Sequence, residues 1–319
     1  MSELTVRVKR LKDEALDVRS FELIPTDGGT LPAFVPGSHI DVHLGPGLVR
    51  QYSLCGDPAD TASYTIAVKN EPNSRGGSRA MHERVKEGEV LALSRPRNNF
   101  SLVTDAQHHL LVAGGIGVTP LLSMARHLSS AGVSFELQYF SRSIQHTAFH
   151  DLLSAAQYKD KVVFHYALDP DAVRAYLRRL LWHRPEGAHL YLCGPRPFMD
   201  LVETTAAPTW APESVHLEYF SADPSSLAGP RDTFKVRLSR SGGEYVIPAE
   251  TSIVRALAEH GVNIETSCEQ GVCGTCLTGV LQGKPDHRDV FLTDDEKAAG
   301  DKIMPCVSRS KDDFLVLDL

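Results

Sequence analysis

Cys268-Glu269-Gln270-Gly271-Val272-Cys273-Gly274-Thr275-Cys276 carries three thiols on one short loop, and Cys306 follows 29 residues further on. A Cys-x4-Cys-x2-Cys run with a distant fourth cysteine is the plant-type [2Fe–2S] spacing. Thiolates suit it because soft sulfur matches iron and its bridging sulfides. Three ligands on a tight loop wrap one face of a cluster, and the fourth closes it from elsewhere in the fold. Gly271 and Gly274 let the backbone pass close by in left-handed conformations. Their amides, with that of Thr275, are suited to hydrogen-bond sulfur and tune a potential. Zinc is the rival occupant. Structural zinc sites favour paired Cys-x2-Cys spacings, and only Cys273 and Cys276 form such a pair. A Rieske centre needs two histidine ligands, and no Cys-x-His occurs in the chain.

Residues 232–319 surround this loop with two short strands (Phe234–Leu238, Glu244–Ile247), a helix (Ser252–His260) and a terminal strand near Phe314–Leu317. Asp223–Arg231, DPSSLAGPR, reads as a linker. Upstream, residues 105–223 alternate strand and helix. His109–Ala113 holds the apolar run LLVA, as a strand buried on both faces requires. Phe135–Phe140, Val162–Leu168 and His189–Cys193 are further strands, separated by helical patterns at Leu121–Leu128, Ala172–Trp182 and Arg196–Thr205. That alternation implies βαβ units and a parallel sheet.

Gly114-Gly115-Ile116-Gly117-Val118-Thr119-Pro120 follows the buried strand and opens a helix. Thr119 suits the cap and Pro120 the first helical position. Free N–H groups at a helix start favour a pyrophosphate. Such a turn alone also serves packing, and this one lacks the last glycine of G-x-G-x-x-G. Cys193-Gly194-Pro195 places a second tight turn at the same carboxyl edge, where ligands of such sheets bind. Cys193 by itself reads as a small buried hydrophobe. The two turns together favour a nucleotide site.

Residues 1–104 look all-β. Strand character recurs at Leu4–Val8, Val18–Ile24, Ser38–Leu44, Val49–Cys55, Tyr64–Lys69 and Val90–Leu93, separated by turn signals such as Asp27-Gly28-Gly29 and Gly45-Pro46-Gly47. Short strands at this spacing suggest an antiparallel barrel or sandwich. One helix interrupts them, with Ser78 as its cap, Met81 and Val85 on one face and Gly88 beyond its end. On the strand Arg50-Gln51-Tyr52-Ser53, Tyr52 can stack on a planar ring, Ser53 can donate a hydrogen bond, and Arg50 can grip a phosphate. Gly76-Gly77-Ser78-Arg79 adds a small anion site. The bland alternative for each is an ordinary amphipathic strand and a capped surface helix.

The cysteine loop, with Met304-Pro305-Cys306 downstream, resembles the plant-type ferredoxins. The two glycine turns resemble the pyridine-nucleotide domain of the ferredoxin-NADP⁺ reductase superfamily, and Arg-x-Tyr-Ser with Gly-Gly-Ser resembles its flavin barrel. That resemblance implies pyrophosphate at Gly114, Gly115, Gly117, Thr119 and Pro120, with the nicotinamide beside Cys193, Gly194 and Pro195. It implies flavin ring contacts from Arg50, Gln51, Tyr52 and Ser53, with Ser53 near flavin N5. Flavin phosphate falls to Gly76, Gly77, Ser78 and Arg79, and Ala67, Lys69, Thr119 and Phe220 are further flavin candidates.

The order barrel, nucleotide domain, ferredoxin is similar to that of the phthalate dioxygenase reductase family, which includes reductases of vanillate O-demethylase systems. This implies an antiparallel flavin-binding β-barrel (1–104), a parallel α/β nucleotide-binding domain (105–223) and a C-terminal β-grasp ferredoxin domain (232–319). It implies FMN, whose terminal phosphate Arg79 suits, and electron flow from NADH to FMN to [2Fe–2S] to a Rieske-type oxygenase component. NADPH stays open: Ser141-Arg142 after the strand Phe135–Phe140 offers an Arg for a 2′-phosphate and no acid for a ribose hydroxyl. A reductase feeding a separate ferredoxin, a cytochrome or dioxygen is the alternative. A non-enzymatic iron–sulfur carrier would require four motifs to be coincidental.

The cofactors suffice for the chemistry. A reduced nicotinamide gives two electrons as hydride, a cluster takes one, and flavin mediates between them. No residue need act as a nucleophile. The chain has 319 residues, 42% of them hydrophobic, and a net charge of −7, against the clustered basic face that nucleic acid requires. No apolar run reaches the length of a membrane span, and the alternating N-terminal segment lacks the apolar core of a signal peptide. A cytoplasmic monomer is expected, and in that reducing compartment the six cysteines are thiols rather than disulfides.

Overall fold

A computed structural model describes residues 3–45, 47–222 and 232–319. The expected linker Asp223–Arg231 and Pro46 of the Gly45-Pro46-Gly47 turn lie outside the described residues. The chain divides into two compact units, Met1–Glu218 and Tyr219–Leu319.

The first unit opens with β1 (Leu4–Ala15), β2 (Val18–Pro25), β3 (Ser38–His43), β4 (Val49–Ser53), β5 (Tyr64–Lys69), α1 (Gly77–Glu83), β6 (Val90–Leu93) and β7 (Arg97–Asn98). The strands run in the order β4-β3-β6-β1-β2-β5, with β7 paired to β3. A bridge between Leu54 and Ile66 joins the β4 side to β5 and closes the sheet into a barrel. Alternation is the cause: Val6, Val8, Phe21, Leu23, Ile40, Val42, Ile66 and Val68 all bury inward in one cluster. β1 runs seven residues beyond the expected Val8. Its second half is charged, so no apolar pattern marks it. Cross-strand ion pairs of Lys9 and Arg10 with Glu22, and of Asp13 with Arg19, accompany it there.

The chain then winds β8 (His108–Gly114), α2 (Val118–Ala131), β9 (Phe135–Ser141), α3 (His150–Leu153), β10 (Val162–Tyr166), α4 (Pro170–Trp182), β11 (Ala188–Cys193), α5 (Arg196–Ala206) and β12 (Val215–Glu218). Five parallel strands lie in the order β10-β9-β8-β11-β12. Every residue of β8 after His108 is buried, which is why Leu110–Ala113 is an unbroken apolar run. The order reverses between β8 and β11, and such a reversal opens a crevice at the carboxyl ends of the strands. The expected boundary near residue 104 is a change of sheet rather than a gap in packing. Val18, Cys55, Ala67 and Phe100 share one apolar cluster with Leu111, Tyr139, Tyr191 and Cys193.

Thr119 does not cap α2. A 3₁₀ turn at Gly115–Gly117 winds the chain early, so Gly117 is the cap, and Thr119 and Pro120 lie inside the first turn. The Thr119 hydroxyl donates to Ile116 O at 3.0 Å. α4 and the next helix of the second unit do carry side-chain caps, from Asp169 and Ser252.

The second unit contains β13 (Phe234–Leu238), β14 (Glu244–Ile247), α6 (Ile253–Glu259), β15 (Thr278–Gln282), β16 (Pro285–Asp286), α7 (Asp294–Ala299), β17 (Lys302–Ile303), β18 (Arg309–Ser310) and β19 (Phe314–Leu317). Its main sheet runs β14-β13-β19-β15-β17, with β13 parallel to β19 and the other pairs antiparallel. Phe234, Val236, Leu238, Ile253, Leu257, Leu315 and Leu317 form its core beneath α6. Among the described residues no helix is long and apolar enough to cross a membrane.

A Cβ on Gly117 would lie 2.2 Å from the Cys193 carbonyl oxygen. Gly117→Ala is therefore expected to destabilise the first unit by about 1–3 kcal/mol. The measurement is a lower urea midpoint at unchanged slope.

Candidate functional site

At the barrel, β4 and the turn before α1 are packed together by a glycine. A Cβ on Gly77 would lie 2.4 Å from Arg50 Cγ. The Arg50 guanidinium donates to Val49 O at 2.7 Å and to Arg75 O at 2.8 Å. Glycine at this position leaves room for the Arg50 side chain. Ser78 is not the cap of α1. Gly76, at φ +90°, turns the chain two residues earlier, and no side chain caps the helix. Ser78 Oγ accepts instead from Glu71 N at 3.1 Å. Arg79 is exposed on the first turn. Tyr52 packs against the barrel core, and burial pushes its hydroxyl pKa up. Gln51 Nε2 is buried without a partner. Ala67 is buried in the cluster shared with the parallel sheet, and Lys69 pairs with Glu71.

At the sheet, the two expected turns meet. Built Cβ atoms on Gly114 and Gly194 would both press on the Phe198 ring, at 2.9 and 3.0 Å. The Gly114 one would also touch Pro195. Ser141 is less available: its hydroxyl faces Thr147 Oγ1 at 2.7 Å and Ser143 O at 3.2 Å. Arg142 is exposed. Phe220 belongs to the second unit, where it is partly exposed.

The barrel and the sheet converge on Glu218. It pairs in register with Cys193 and accepts a hydrogen bond from Ser53. Burial drives its carboxyl up to about 8, against the Ser53 hydrogen bond. Its Oε2 is buried with no partner. The Cys193 thiol is raised well above its ordinary range, first by burial and then by Glu218. His39, opposite Ser53 in register, has both ring nitrogens buried and unpaired. Burial, then the Arg97 cation, hold it down at about 4 against the pull of Asp41. Unsatisfied buried polar atoms are costly, so Glu218 Oε2 and the two His39 ring nitrogens fit a polar ring that would engage them.

In the second unit all four expected cysteines are buried, and they gather two and two. Cys268 hydrogen-bonds Cys273, and Cys276 hydrogen-bonds Cys306. Within each pair the bond from the partner draws Cys273 and Cys276 down and raises Cys268 and Cys306 in return. Among the described residues no three His, Cys, Asp or Glu side chains converge on a single-ion position. Two pairs of thiols suit two irons. Gln270 N reaches Cys268 Sγ at 3.3 Å, and the amides of Val272, Thr275 and Gly271 point at Cys268, Cys273 and Cys306. Gln270 and Val272 thus join the expected Gly271 and Thr275 as donors. Gly274 serves differently: a Cβ there would lie 2.3 Å from Phe291 Cζ.

Comparison with known proteins agrees. A family model for a 2Fe-2S iron-sulfur cluster binding domain matches residues 236–311. One for the dimethylamine monooxygenase subunit DmmA-like N-terminal domain matches residues 92–213. Vanillate O-demethylase oxidoreductase of Pseudomonas sp. (strain HR199 / DSM 7063) is 43% identical over 320 residues, covering 100% of both chains. Phthalate dioxygenase reductase of Burkholderia cepacia is 41% identical over 318 residues, covering 99% of this chain and 97% of its own. A solved phthalate dioxygenase reductase, titled a modular structure for electron transfer from pyridine nucleotides to [2Fe–2S], aligns with TM-score 0.79 at 41% identity, covering 100% of this chain and 98% of that one. The chain belongs to the phthalate dioxygenase reductase family.

Like its relatives in the phthalate dioxygenase reductase family, it is an NAD(P)H-dependent iron–sulfur flavoprotein oxidoreductase. It is a reductase component that carries electrons from a reduced nicotinamide by way of flavin to [2Fe–2S]. Sequence reasoning missed Glu218 and His39 at its site. The signal for Glu218 was an acid closing a strand of the parallel sheet, but β12 is half-buried and carries no apolar run.

Glu218 titrates above the ordinary carboxyl range, so its contribution to stability is complete at low pH and is lost as pH rises through about 8. Glu218→Gln cannot ionise. Its melting temperature is expected to gain on the parent's from about pH 5 to about pH 8 and to level off above that; a pH-independent difference would contradict the shift.

Proposed function

We propose that the chain is the reductase of a two-component oxygenase system, acting as a cytoplasmic monomer and passing electrons from NADH through FMN to [2Fe–2S] and on to a Rieske-type oxygenase component. The meeting of Ser53, Glu218 and Cys193 carries this reading, because it brings the expected flavin edge and the expected nicotinamide edge to one point. The names of the relatives, an O-demethylase oxidoreductase and a dioxygenase reductase, support an oxygenase as acceptor. Three modules, at 1–104, 105–223 and 232–319, divide the work.

When bound, flavin accepts hydride and releases electrons singly. The residues around it bind, orient and exclude water. Arg50, Gly76, Gly77, Ser78 and Arg79 hold the phosphate end. Gln51, Tyr52, Ser53, Ala67 and Lys69 bear on the ring, with Thr119 beside it. Gly114, Gly115, Gly117 and Pro120 receive the pyrophosphate at the start of α2, with Ser141 and Arg142 toward the ribose. Cys193, Gly194 and Pro195 flank the nicotinamide. Glu218, protonated up to about pH 8, keeps the junction neutral and offers Oε2 as a hydrogen-bonding atom. Cys268, Cys273, Cys276 and Cys306 would hold the cluster and supply its thiolate ligands.

Anaerobic titration of the purified protein with NADH tests the scheme. Flavin and iron–sulfur absorption should bleach together with about three electrons per chain, two for flavin and one for the cluster. No flavin in protein reconstituted with excess FMN would sink the reading. NADH should give the higher kcat/KM than NADPH, and the reduced protein should be reoxidised by a Rieske-type oxygenase component. Cys306→Ser is expected to lose the iron–sulfur bands while NADH still bleaches the flavin.

A further inference from the structure

Asp289 is a buried carboxylate with no task in electron transfer so far. Its side chain has no solvent exposure. Oδ1 accepts from Ser308 Oγ at 3.1 Å and Oδ2 from Leu292 N at 2.9 Å. Ser308 stands two residues beyond Cys306, and its hydroxyl in turn accepts from Arg288 N at 3.1 Å. On its other side Asp289 abuts the cysteine loop. A Cβ on Gly271 would lie 3.0 Å from Asp289 Cα, and Val290 N donates to Gly271 O at 3.1 Å. The Gly271 amide points at the Cys306 sulfur. Asp289 is thus wedged between the two segments that carry the four thiols.

The nearest guanidinium is engaged elsewhere. The Arg288 guanidinium pairs with Asp286, through Nε at 2.9 Å and a terminal nitrogen at 2.8 Å. His287 Nδ1 stands 3.7 Å from Asp289 Oδ1, beyond hydrogen-bond reach, and both its ring nitrogens are buried and unpaired. The two hydrogen bonds that Asp289 accepts come from a hydroxyl and a backbone amide, both neutral donors. Burying a charge is expensive even when it is hydrogen-bonded, and an apolar residue of the same size would cost less.

A reduced cluster carries one more negative charge than an oxidised one. A fixed negative charge beside it, in low-dielectric surroundings, opposes the incoming electron, and net charge is among the factors that set such potentials. We infer that Asp289 holds down the reduction potential of the [2Fe–2S] cluster, biasing the reduced centre toward delivering its electron outward. Asp289 acts through its field; it is neither a ligand nor a catalytic residue. The inference rests on the four cysteines being the cluster ligands.

The test is a redox titration of the full chain, followed by electron paramagnetic resonance, for the parent, Asp289→Asn and Ser308→Ala. Asn keeps both hydrogen-bonding positions and removes the charge. Its oxidised-to-reduced ratio at a fixed potential should fall at least about tenfold, a rise of about 59 mV for one electron, with the resonance positions of the cluster unchanged. Ser308→Ala removes one donor, keeps the charge and should produce no such rise. A midpoint for Asp289→Asn within about twofold of the parent's ratio would overturn the inference. So would an equal rise in Ser308→Ala, which would make geometry the cause. Loss of the cluster in Asp289→Asn would overturn it in favour of a structural clamp. A parent protein lacking the cluster signal would overturn the ligand reading itself, and this inference with it.

Discussion

Two turns at the carboxyl edge of the parallel sheet are pressed backbone against backbone, with Gly117 on the Cys193 carbonyl, and the chemistry of the first unit is arranged around that contact. It leaves no room for a side chain where β8 and β11 diverge. It sets the start of α2 against the turn before α5. Because Cys193 pairs with Glu218 and Ser53 reaches Glu218, the same contact indirectly locates the barrel edge. The shared apolar cluster then makes the barrel and the sheet one packed body.

The two halves of the electron path are built on opposite electrostatic plans. At the junction in the first unit the titratable groups are driven neutral by burial: Glu218 protonated, Cys193 a thiol, His39 an uncharged imidazole. Neutral walls impose little charge bias on a hydride moving between two rings. The second unit gathers sulfur, and its backbone amides point at that sulfur. There the task is to stabilise anionic ligands and to set how readily an electron is held.

Where one residue type has a single physical use, the sequence was legible. The cysteine spacing picked out the four thiols that the fold gathers, and the apolar run of β8 and the alternation of the barrel strands located the sheets, because burial leaves a pattern. The charged half of β1 and the half-buried β12 left none. The caps at Ser78 and Thr119 were misplaced because a left-handed glycine and a 3₁₀ turn can each start a helix before the residue that looks like a cap. The short helix α7 did carry its signature, the Thr293 and Glu296 capping box, but no apolar face followed to draw notice to it. Glu218 and Asp289 were illegible for a different reason. A buried acid and a surface acid look alike until their neighbours are known.

The two-and-two gathering of the thiols has a consequence for how the cofactor is installed. Cys268 and Cys273 are separated by four residues, whereas Cys276 and Cys306 are separated by 29. Closing the first pair costs little chain entropy, and closing the second costs more. The second also needs β15 and β17 in place, since they occupy the chain between its two members. One half-site is therefore local and available to a nascent chain, while the other exists only after the sheet has formed. The second half of such a site is thereby tied to the formation of the sheet, in keeping with the general coupling of metal sites to folding.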